Sequence, residues 1–439
     1  MENPLSIKVL EQCRISPPSG SVPQTSVHLT YFDLGEVGID PPVHCLYFYK
    51  HECSKTHFMQ SILPNMKHSL SLTLQHFFSL AGNLTWFPES TVPEIIYHDG
   101  DSVSFTVVES DFDFDHLCGN NPRDAITLFP NTGICVGLTI SHTTADGIAF
   151  NHFMRFWASV CSFGGEITKS VLSDHALPSY NRTKISDPYG IETAHINGLK
   201  KINIYPQSFT LPITPTDPND RLVATFVMDA PTIDKLKKWV LRRITERNKV
   251  LPCFNVTSVV ATLACVWVCW SKALDGDKWE YNSKEHLMLP VDCRARIDPA
   301  LPLTYFGNCF TFCFRTISKN DLFGEDGIVI AAELIGKALQ TFCKAVLDDC
   351  ENLFPKFSSI ASQRIFGVSG SPRMRSYEVD FGWGTPKKVE LISSTATYGW
   401  VTLSEHGDRE KGSLEIGVAM KKPQMDVFAS LFENTLSSL

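Results

Sequence analysis

The sequence has no C-x-x-C pair among its 14 cysteines, which argues against zinc ribbons and thioredoxin-like redox sites. It has no excess of basic residues, and a net charge of −8 disfavours nucleic acid or an anionic membrane as partner. No run of 18 apolar residues occurs, and Met1–Pro4 lacks the basic and apolar parts of a signal peptide. We therefore expect a cytoplasmic protein with reduced thiols, no membrane partner and no metal site.

Length and composition indicate two domains. The chain has 439 residues, 43% hydrophobic and 20% charged, as in ordinary soluble globular proteins. Because single cores seldom grow beyond roughly 250–300 residues, we expect an N-terminal domain over 1–165, a crossover over 166–220 and a C-terminal domain over 221–439. The crossover is polar, contains proline and lacks sustained periodicity, and no internal repeat is visible.

Apolar patterns typical of strands and of helices alternate in both halves, which predicts an α/β fold. The predicted strands cover residues 95–97, 104–108, 134–140, 222–228, 286–291, 308–315, 389–394 and 413–420. The predicted helices cover residues 57–80, 148–158, 231–246, 259–272 and 328–347. The helix over 259–272 is apolar on every side and should be buried.

The most informative motif is the hexapeptide H-T-T-A-D-G at 142–147, between a predicted buried strand and a predicted helix. His142 alone among the 14 histidines has an aspartate four residues later, Asp146. An imidazole at the end of a rigid strand is well placed to take a proton from a hydroxyl group near neutral pH. A structural histidine fits the same pattern, and Asp146 could either orient the imidazole or hold the turn.

Three further segments make the motif specific: L-T-Y-F-D at 29–33, Y-F-G-N-C at 305–309 and D-F-G-W-G at 380–384. Together with the H-x-x-x-D motif, they resemble the plant BAHD acyl-CoA-dependent acyltransferases over essentially the whole chain, in the branch that acylates phenolic glycosides. The resemblance implies two chloramphenicol-acetyltransferase-like domains with a substrate channel between them. It also implies a monomer that takes acyl-CoA and a glycosylated phenolic acceptor, without a permanently bound cofactor.

The resemblance assigns roles to individual residues. It implies that His142 is the general base and that Asp146 is structural, pointing away from the substrate toward an arginine. Asp380 is likewise expected to be structural, as a buried carboxylate paired with Arg294. Asn308 and Trp383, within the signature segments, are expected to support the site.

The donor site is less clearly marked. Thr257 and Ser258 begin the apolar helix, and a helix N-terminus can bind phosphate, although plain N-capping explains them equally well. The small residues Ser369, Gly370 and Ser371 precede D-F-G-W-G and could let the pantetheine arm of coenzyme A approach the backbone. An ordinary connecting loop has the same composition.

Arg182, in P-S-Y-N-R-T at 178–183, resembles the arginine of malonyl-preferring family members, and an arginine binds a carboxylate through paired hydrogen bonds. The leading hypothesis is therefore malonyl transfer from malonyl-CoA to a sugar hydroxyl of a flavonoid, anthocyanin or other phenolic glucoside. One alternative keeps the mechanism with a hydroxycinnamoyl-CoA donor. Another is a catalytically decayed homologue that binds small molecules.

The chain departs from the family pattern at two places. Between N-P-R at 121–123 and a strand that begins at Ile126, family members usually carry roughly two dozen more residues, whereas only Asp124 and Ala125 stand here. The residues after Asp33 also lack the tryptophan that many relatives place there. The sequence identifies neither the aglycone nor the sugar hydroxyl.

Overall fold

The computed structural model describes residues 7–37, 42–87, 90–111, 114, 126–201, 222–276, 280, 283–342, 347, 356, 359–360, 363–391, 400–407 and 412–439. Within it the chain forms two compact units. Unit 1 comprises Met1–Pro215, Asp298–Cys309 and Arg373–Ser393. Unit 2 comprises Thr216–Ile297, Phe310–Pro372 and Ser394–Leu439.

Strands and helices alternate as the sequence predicts. The strands are β1 (Ile7–Ile15), β2 (Thr25–His28), β3 (Val43–Tyr49), β4 (Asn83–Thr85), β5 (Glu94–Tyr97), β6 (Val103–Ser110), β7 (Ile126–Phe129), β8 (Gly133–Ile140), β9 (Leu222–Met228), β10 (Lys284–Asp292), β11 (Phe310–Ser318), β12 (Ile365–Ser369), β13 (Lys388–Leu391), β14 (Val401–Glu405) and β15 (Leu414–Met420). The α-helices are α1 (Tyr31–Leu34), α2 (Lys55–His57), α3 (Leu63–His76), α4 (Gly147–Ser162), α5 (Lys169–Asp174), α6 (Ile191–Lys201), α7 (Ala230–Asn248), α8 (Ser258–Asp275), α9 (Lys319–Phe323), α10 (Gly327–Phe342) and α11 (Lys422–Ser437).

Each unit is built on one large sheet. In unit 1 the strand order is β1-β6-β7-β8-β3-β13, and a smaller sheet has the order β2-β5-β4. In unit 2 the order is β11-β10-β12-β14-β15-β9. Two α/β units of this kind confirm the predicted fold class.

The two units are not contiguous in sequence, so the predicted division at 221 needs correction. Residues 298–309 and 373–393 belong to unit 1 because strand β13 pairs with β3 and Tyr305 bridges to Ser179. These pairings join residues far apart along the chain, and local periodicity does not encode them. The predicted crossover also contains helices α5 and α6 among its described residues.

Helix α8 forms the centre of unit 2. Its side chains at Ala261, Cys265 and Trp267 are fully buried, and helices α7, α10 and α11 pack against it. By length and composition it is the one helix among the described residues that could cross a membrane, but most of it lies inside this core. Its predicted burial is therefore confirmed.

Candidate active site

His142 lies in the short turn between strand β8 and helix α4. Strand β8 ends at Ile140, which pairs with Val43 of the neighbouring strand β3. Helix α4 begins at Gly147, and its buried face includes Phe153 and Trp157. The imidazole thus stands between two elements fixed by the unit 1 core, as the sequence predicts, with its side chain 29% exposed.

Asp146 holds this turn. Its Oδ1 accepts hydrogen bonds from the backbone N–H groups of Ile148 (3.1 Å) and Ala149 (2.9 Å), which caps helix α4. Its Oδ2 accepts one from the backbone N–H of Cys309 at 3.0 Å, and the residue is only 5% exposed. Both carboxylate oxygens therefore bind backbone, which supports the turn-holding role. The arginine partner implied by the resemblance stays a prediction.

Asn308 contacts the His142 ring directly. Its side-chain Oδ1 lies 3.1 Å from the Nδ1 of His142. Its Nδ2 faces three acceptors: Asp33 Oδ1 (3.1 Å), the carbonyl oxygen of His142 (2.8 Å) and that of Thr143 (3.3 Å). Asn308 is fully buried, so these contacts fix its amide in one orientation.

Asp33 anchors Asn308. Its Oδ1 also accepts the backbone N–H of Asn308 at 2.9 Å, and its Oδ2 accepts the backbone N–H and the hydroxyl of Thr30, each at 2.9 Å. Asp33 is fully buried at the second position after the start of helix α1. The signature segments at 29–33 and 305–309 therefore meet at the turn that carries His142. Sequence reasoning singled out both segments but assigned no role to Asp33.

The orientation of Asn308 determines which ring nitrogen of His142 carries the proton. Because the amide nitrogen of Asn308 faces three acceptors, its oxygen faces the imidazole, and Nδ1–H of His142 is the donor. In a neutral ring with Nδ1 protonated, Nε2 carries the basic lone pair. The chain Asp33–Asn308–His142 thus prepares Nε2 to accept a proton.

Glu36 is a site residue that sequence reasoning missed. Its Oε2 lies 3.7 Å from the Nδ1 of His142, and the residue is 7% exposed. The only available signal was the departure after Asp33, where the expected tryptophan is absent. The structure thus places a buried carboxylate beside the proposed base.

Arg182 packs against the Y-F-G-N-C segment and is half-buried. Its Nη1 donates a hydrogen bond to the carbonyl oxygen of Phe306 at 2.7 Å, and its guanidinium lies 4.7 Å from the ring centroid of Tyr305. A Cβ atom on Gly307, where φ is +146°, would lie 2.6 Å from Nη2 of Arg182. Arg182 is thus held against Gly307, the residue that precedes Asn308. These contacts exclude the interpretation that Arg182 is only a solvated arginine on the crossover.

Asp380 organises its own loop. Its Oδ1 accepts hydrogen bonds from the backbone N–H groups of Gly382 (2.8 Å) and Gly384 (2.9 Å), whose φ values of +92° and +86° favour glycine. The residue is exposed, so the prediction of a buried Asp380 carboxylate is wrong. Arg294, its predicted partner, is 1% exposed and donates to Asp292 Oδ1 at 3.0 Å within unit 2.

Trp383 packs beside strand β3. Its ring stacks on Phe381 (centroids 5.2 Å apart) and meets the edge of Tyr49 (5.4 Å). The fully buried ring of this segment is Phe381, at 2% exposure, whereas Trp383 is half-buried. The segment is thus a packed turn against the unit 1 sheet.

Replacing Asp380 with alanine should lower the free energy of unfolding by about 1–2 kcal/mol, since two backbone N–H groups lose their acceptor. Asp380→Asn keeps the Oδ1 acceptor and should be closer to wild type in stability and activity. Urea denaturation of both variants, with specific activity measured on the folded fraction, tests this. An alanine variant that is as stable as wild type yet inactive would instead give Asp380 a chemical role.

Apart from Arg182, which belongs to unit 1, the predicted donor-binding residues lie in unit 2. Thr257 caps helix α8, with its hydroxyl accepting the backbone N–H of Val260 at 3.2 Å, and Ser258 is the first helical residue. Ser369 ends strand β12, and Gly370 follows at φ +74°, where a Cβ atom would lie 2.7 Å from the carbonyl oxygen of Leu403. Thr257 therefore performs the capping role that the sequence left as an alternative. Ser371 lies in the loop that follows.

The two α/β units and a histidine with an unprotonated Nε2 fit an acyltransferase that uses one general base. A family model described as the Transferase family matches residues 5–435. The chain belongs to this family, the BAHD acyl-CoA-dependent acyltransferases, and is an enzyme of that class.

Relatives with named activities match over their full length. Phenolic glucoside malonyltransferase 1 of Nicotiana tabacum is 35% identical over 98% of this chain and 99% of its own. Coumaroyl-CoA:anthocyanidin 3-O-glucoside-6''-O-coumaroyltransferase 1 of Arabidopsis thaliana is 33% identical over 97% of each chain. The crystal structure of vinorine synthase matches the fold with a TM-score of 0.69 at 18% identity, over 97% of this chain and 98% of that one.

The alignment with the tobacco relative bears on the predicted gap after residue 123. It runs over 466 positions, although this chain has 439 residues, so the relative carries residues that this chain lacks. The predicted place of the gap falls on 115–125, outside the described residues.

Proposed function

We propose that the protein transfers a malonyl group from malonyl-CoA to a sugar hydroxyl of a flavonoid, anthocyanin or other phenolic glucoside. The observation that carries this proposal is the position of Arg182 against Gly307, next to Asn308, which in turn holds His142. A cation so placed offers the free carboxylate of a malonyl group a partner close to the reacting centre. The tobacco malonyltransferase at 35% identity supports the same donor and acceptor class.

The proposed chemistry needs one base and no covalent enzyme intermediate. Nε2 of His142 takes the proton of the acceptor hydroxyl while that oxygen forms a bond to the thioester carbon. The tetrahedral intermediate collapses by breaking the carbon–sulfur bond, and the thiolate of coenzyme A leaves. The imidazolium then returns its proton to that thiolate, so His142 ends the cycle neutral.

Coenzyme A itself is proposed to contact the unit 2 residues predicted from the sequence. Ser369 has a buried hydroxyl with no hydrogen-bond partner among the described residues, beside the small residues Gly370 and Ser371. Such a hydroxyl can form a hydrogen bond with an amide group of the pantetheine arm. The N-terminus of helix α8, at Thr257 and Ser258, is proposed as a phosphate contact in addition to its capping role.

Replacing Arg182 with alanine should raise the Michaelis constant for malonyl-CoA by roughly 10- to 150-fold, the equivalent of ~1.5–3 kcal/mol for a hydrogen bond to a charged group. The constant for acetyl-CoA should stay almost unchanged, because acetyl carries no carboxylate. Initial rates with both donors and one glucoside acceptor measure the difference.

The matched control is Arg182→Lys, which keeps the positive charge but loses the planar fork that spans Phe306 and Tyr305. The lysine variant should raise the Michaelis constant for malonyl-CoA less than the alanine variant does. Equal losses for both donors would show that Arg182 only shapes the segment. A wild-type protein that uses coumaroyl-CoA and ignores malonyl-CoA would establish the hydroxycinnamoyl alternative, and turnover with neither donor would favour the decayed homologue.

We also propose that the enzyme works as a cytoplasmic monomer. The described cysteines at 45, 53, 161, 265, 269 and 313 are buried and form no disulfide. Buried thiols without disulfides suit a reducing compartment. Fractionation of the source tissue and sedimentation of the purified protein test compartment and oligomeric state.

A further inference from the structure

Glu36 lies two residues after the end of helix α1, beside the imidazole of His142. Its Oε2 is 3.7 Å from Nδ1, too far for a hydrogen bond but within the range of an ion pair. The Nδ1–H bond itself goes to Asn308 at 3.1 Å. The carbonyl oxygen of Glu36 accepts the hydroxyl of Thr143 at 3.3 Å, which ties its backbone to the catalytic turn. Glu36 can therefore act on the ring through its charge.

The charges around Glu36 come from three neighbouring elements. Burial raises the pKa of Glu36, the positive charge of a protonated His142 opposes this, and the carboxylates of Asp33 and Asp146 add to it. On the α6 side, His195 packs against Gly35, and burial lowers its pKa, which favours its uncharged form. His142 is thus the group facing Glu36 that gains a positive charge during the reaction.

We propose that Glu36 is a positioning residue of the acyl-transfer site, whose carboxylate opposes the positive charge on His142 when Nε2 takes the acceptor proton. Asn308 selects the tautomer, and Glu36 favours the imidazolium that follows. A carboxylate within about 4–6 Å favours the charged form of an imidazole, and the effect is stronger where water is excluded. The proton path is unchanged: it runs from the acceptor hydroxyl to Nε2 and then to the leaving thiolate.

This role carries a cost in stability. A carboxyl group whose pKa is raised on folding contributes less stability as pH rises from its unfolded pKa through its folded one. At neutral pH, above the unfolded value, Glu36 therefore opposes folding. A residue kept for packing would show the reverse, since its removal would destabilise the protein.

Replacing Glu36 with glutamine keeps the shape and removes the charge, so it separates the two roles. We expect kcat to fall on the order of tenfold, equivalent to one pKa unit of lost charge stabilisation. The acid limb of the pH profile of kcat/KM should move to lower pH by about one unit, because the ring loses its neighbouring carboxylate. The thermal unfolding midpoint at pH 7 should equal or exceed that of wild type.

Two further variants sharpen the test. Glu36→Asp restores the charge and should return the acid limb toward its wild-type position. Glu390→Gln is a matched control, since Glu390 is 8% exposed, against 7% for Glu36, and lies on strand β13 opposite Leu46. Its pH profile should coincide with that of wild type.

An unmoved acid limb in Glu36→Gln would overturn the proposal, as would a lower unfolding midpoint with unchanged kcat per folded molecule. The inference rests on the general-base role of His142 and not on the identity of the donor. If His142→Ala kept its turnover, the general-base mechanism would fail first. If His142→Ala were inactive and Glu36→Gln were unchanged, the role of Glu36 alone would be refuted.

Discussion

Replacing His142 with alanine should reduce turnover by roughly 10²–10⁴-fold, the range for loss of a positioned general base. Its Nδ1–H is held by Asn308, so the ring is oriented before substrate arrives and Nε2 needs no further adjustment. The acceptor hydroxyl would lose the group that removes its proton as the new bond forms. Single-turnover rates with saturating acyl-CoA and acceptor measure the chemical step directly.

Stability should change little in this variant, because the His142 side chain is 29% exposed and helix α4 is capped by Asp146 rather than by the imidazole. Circular dichroism and the thermal midpoint provide the control. His142→Gln is a second variant, with a side-chain amide in place of the basic ring nitrogen. A folded alanine variant with near-wild-type turnover would contradict the assignment.

The turn that carries His142 could be predicted from the sequence because its determinants are local. An apolar run identified strand β8, the apolar spacing after Gly147 identified helix α4, and the position of His142 between them followed. The cap by Asp146 acts over two or three residues. Interactions of this range leave a pattern that can be read without a structure.

The surroundings of the imidazole could not be derived in this way. Asn308 reaches His142 across 166 positions and Asp33 across 275. The motif resemblance marked their segments, but no periodicity states that the two segments meet. Glu36 belongs to no motif, and its place beside the imidazole is known only from its distance to Nδ1.

The prediction that the Asp380 carboxylate is buried was wrong for a related reason. The sequence shows an acidic residue in a signature motif and a basic pair at 294 and 296, a combination that favours an ion pair. The structure gives the carboxylate two N–H partners within four residues, in a turn that needs Gly382 and Gly384 at positive φ. A short Asx-type turn competes with a distant ion pair, and composition alone does not decide between them.

Replacing Asn308 with alanine should lower turnover by roughly 10- to 100-fold, by analogy with the groups that orient metal-bound imidazoles. The variant removes the acceptor that fixes Nδ1–H, so the ring of His142 can adopt the tautomer whose Nε2 is protonated and not basic. The loss should appear in kcat, with the Michaelis constant for the donor less affected. The free energy of unfolding should also fall by about 1–3 kcal/mol, because the buried acceptors around Nδ2 lose their donor.

Asn308→Asp separates orientation from stability. The aspartate keeps an oxygen facing Nδ1, but its second oxygen would meet Oδ1 of Asp33 at the present 3.1 Å separation, a contact between two buried acceptors. We therefore expect the aspartate variant to be the less stable of the two and yet to retain more turnover per folded molecule than alanine. Urea denaturation gives the first ranking, and kcat normalised to folded protein gives the second. An alanine variant whose normalised kcat stays within twofold of wild type would show that Asn308 supports only the fold, and that the tautomer of His142 is set elsewhere.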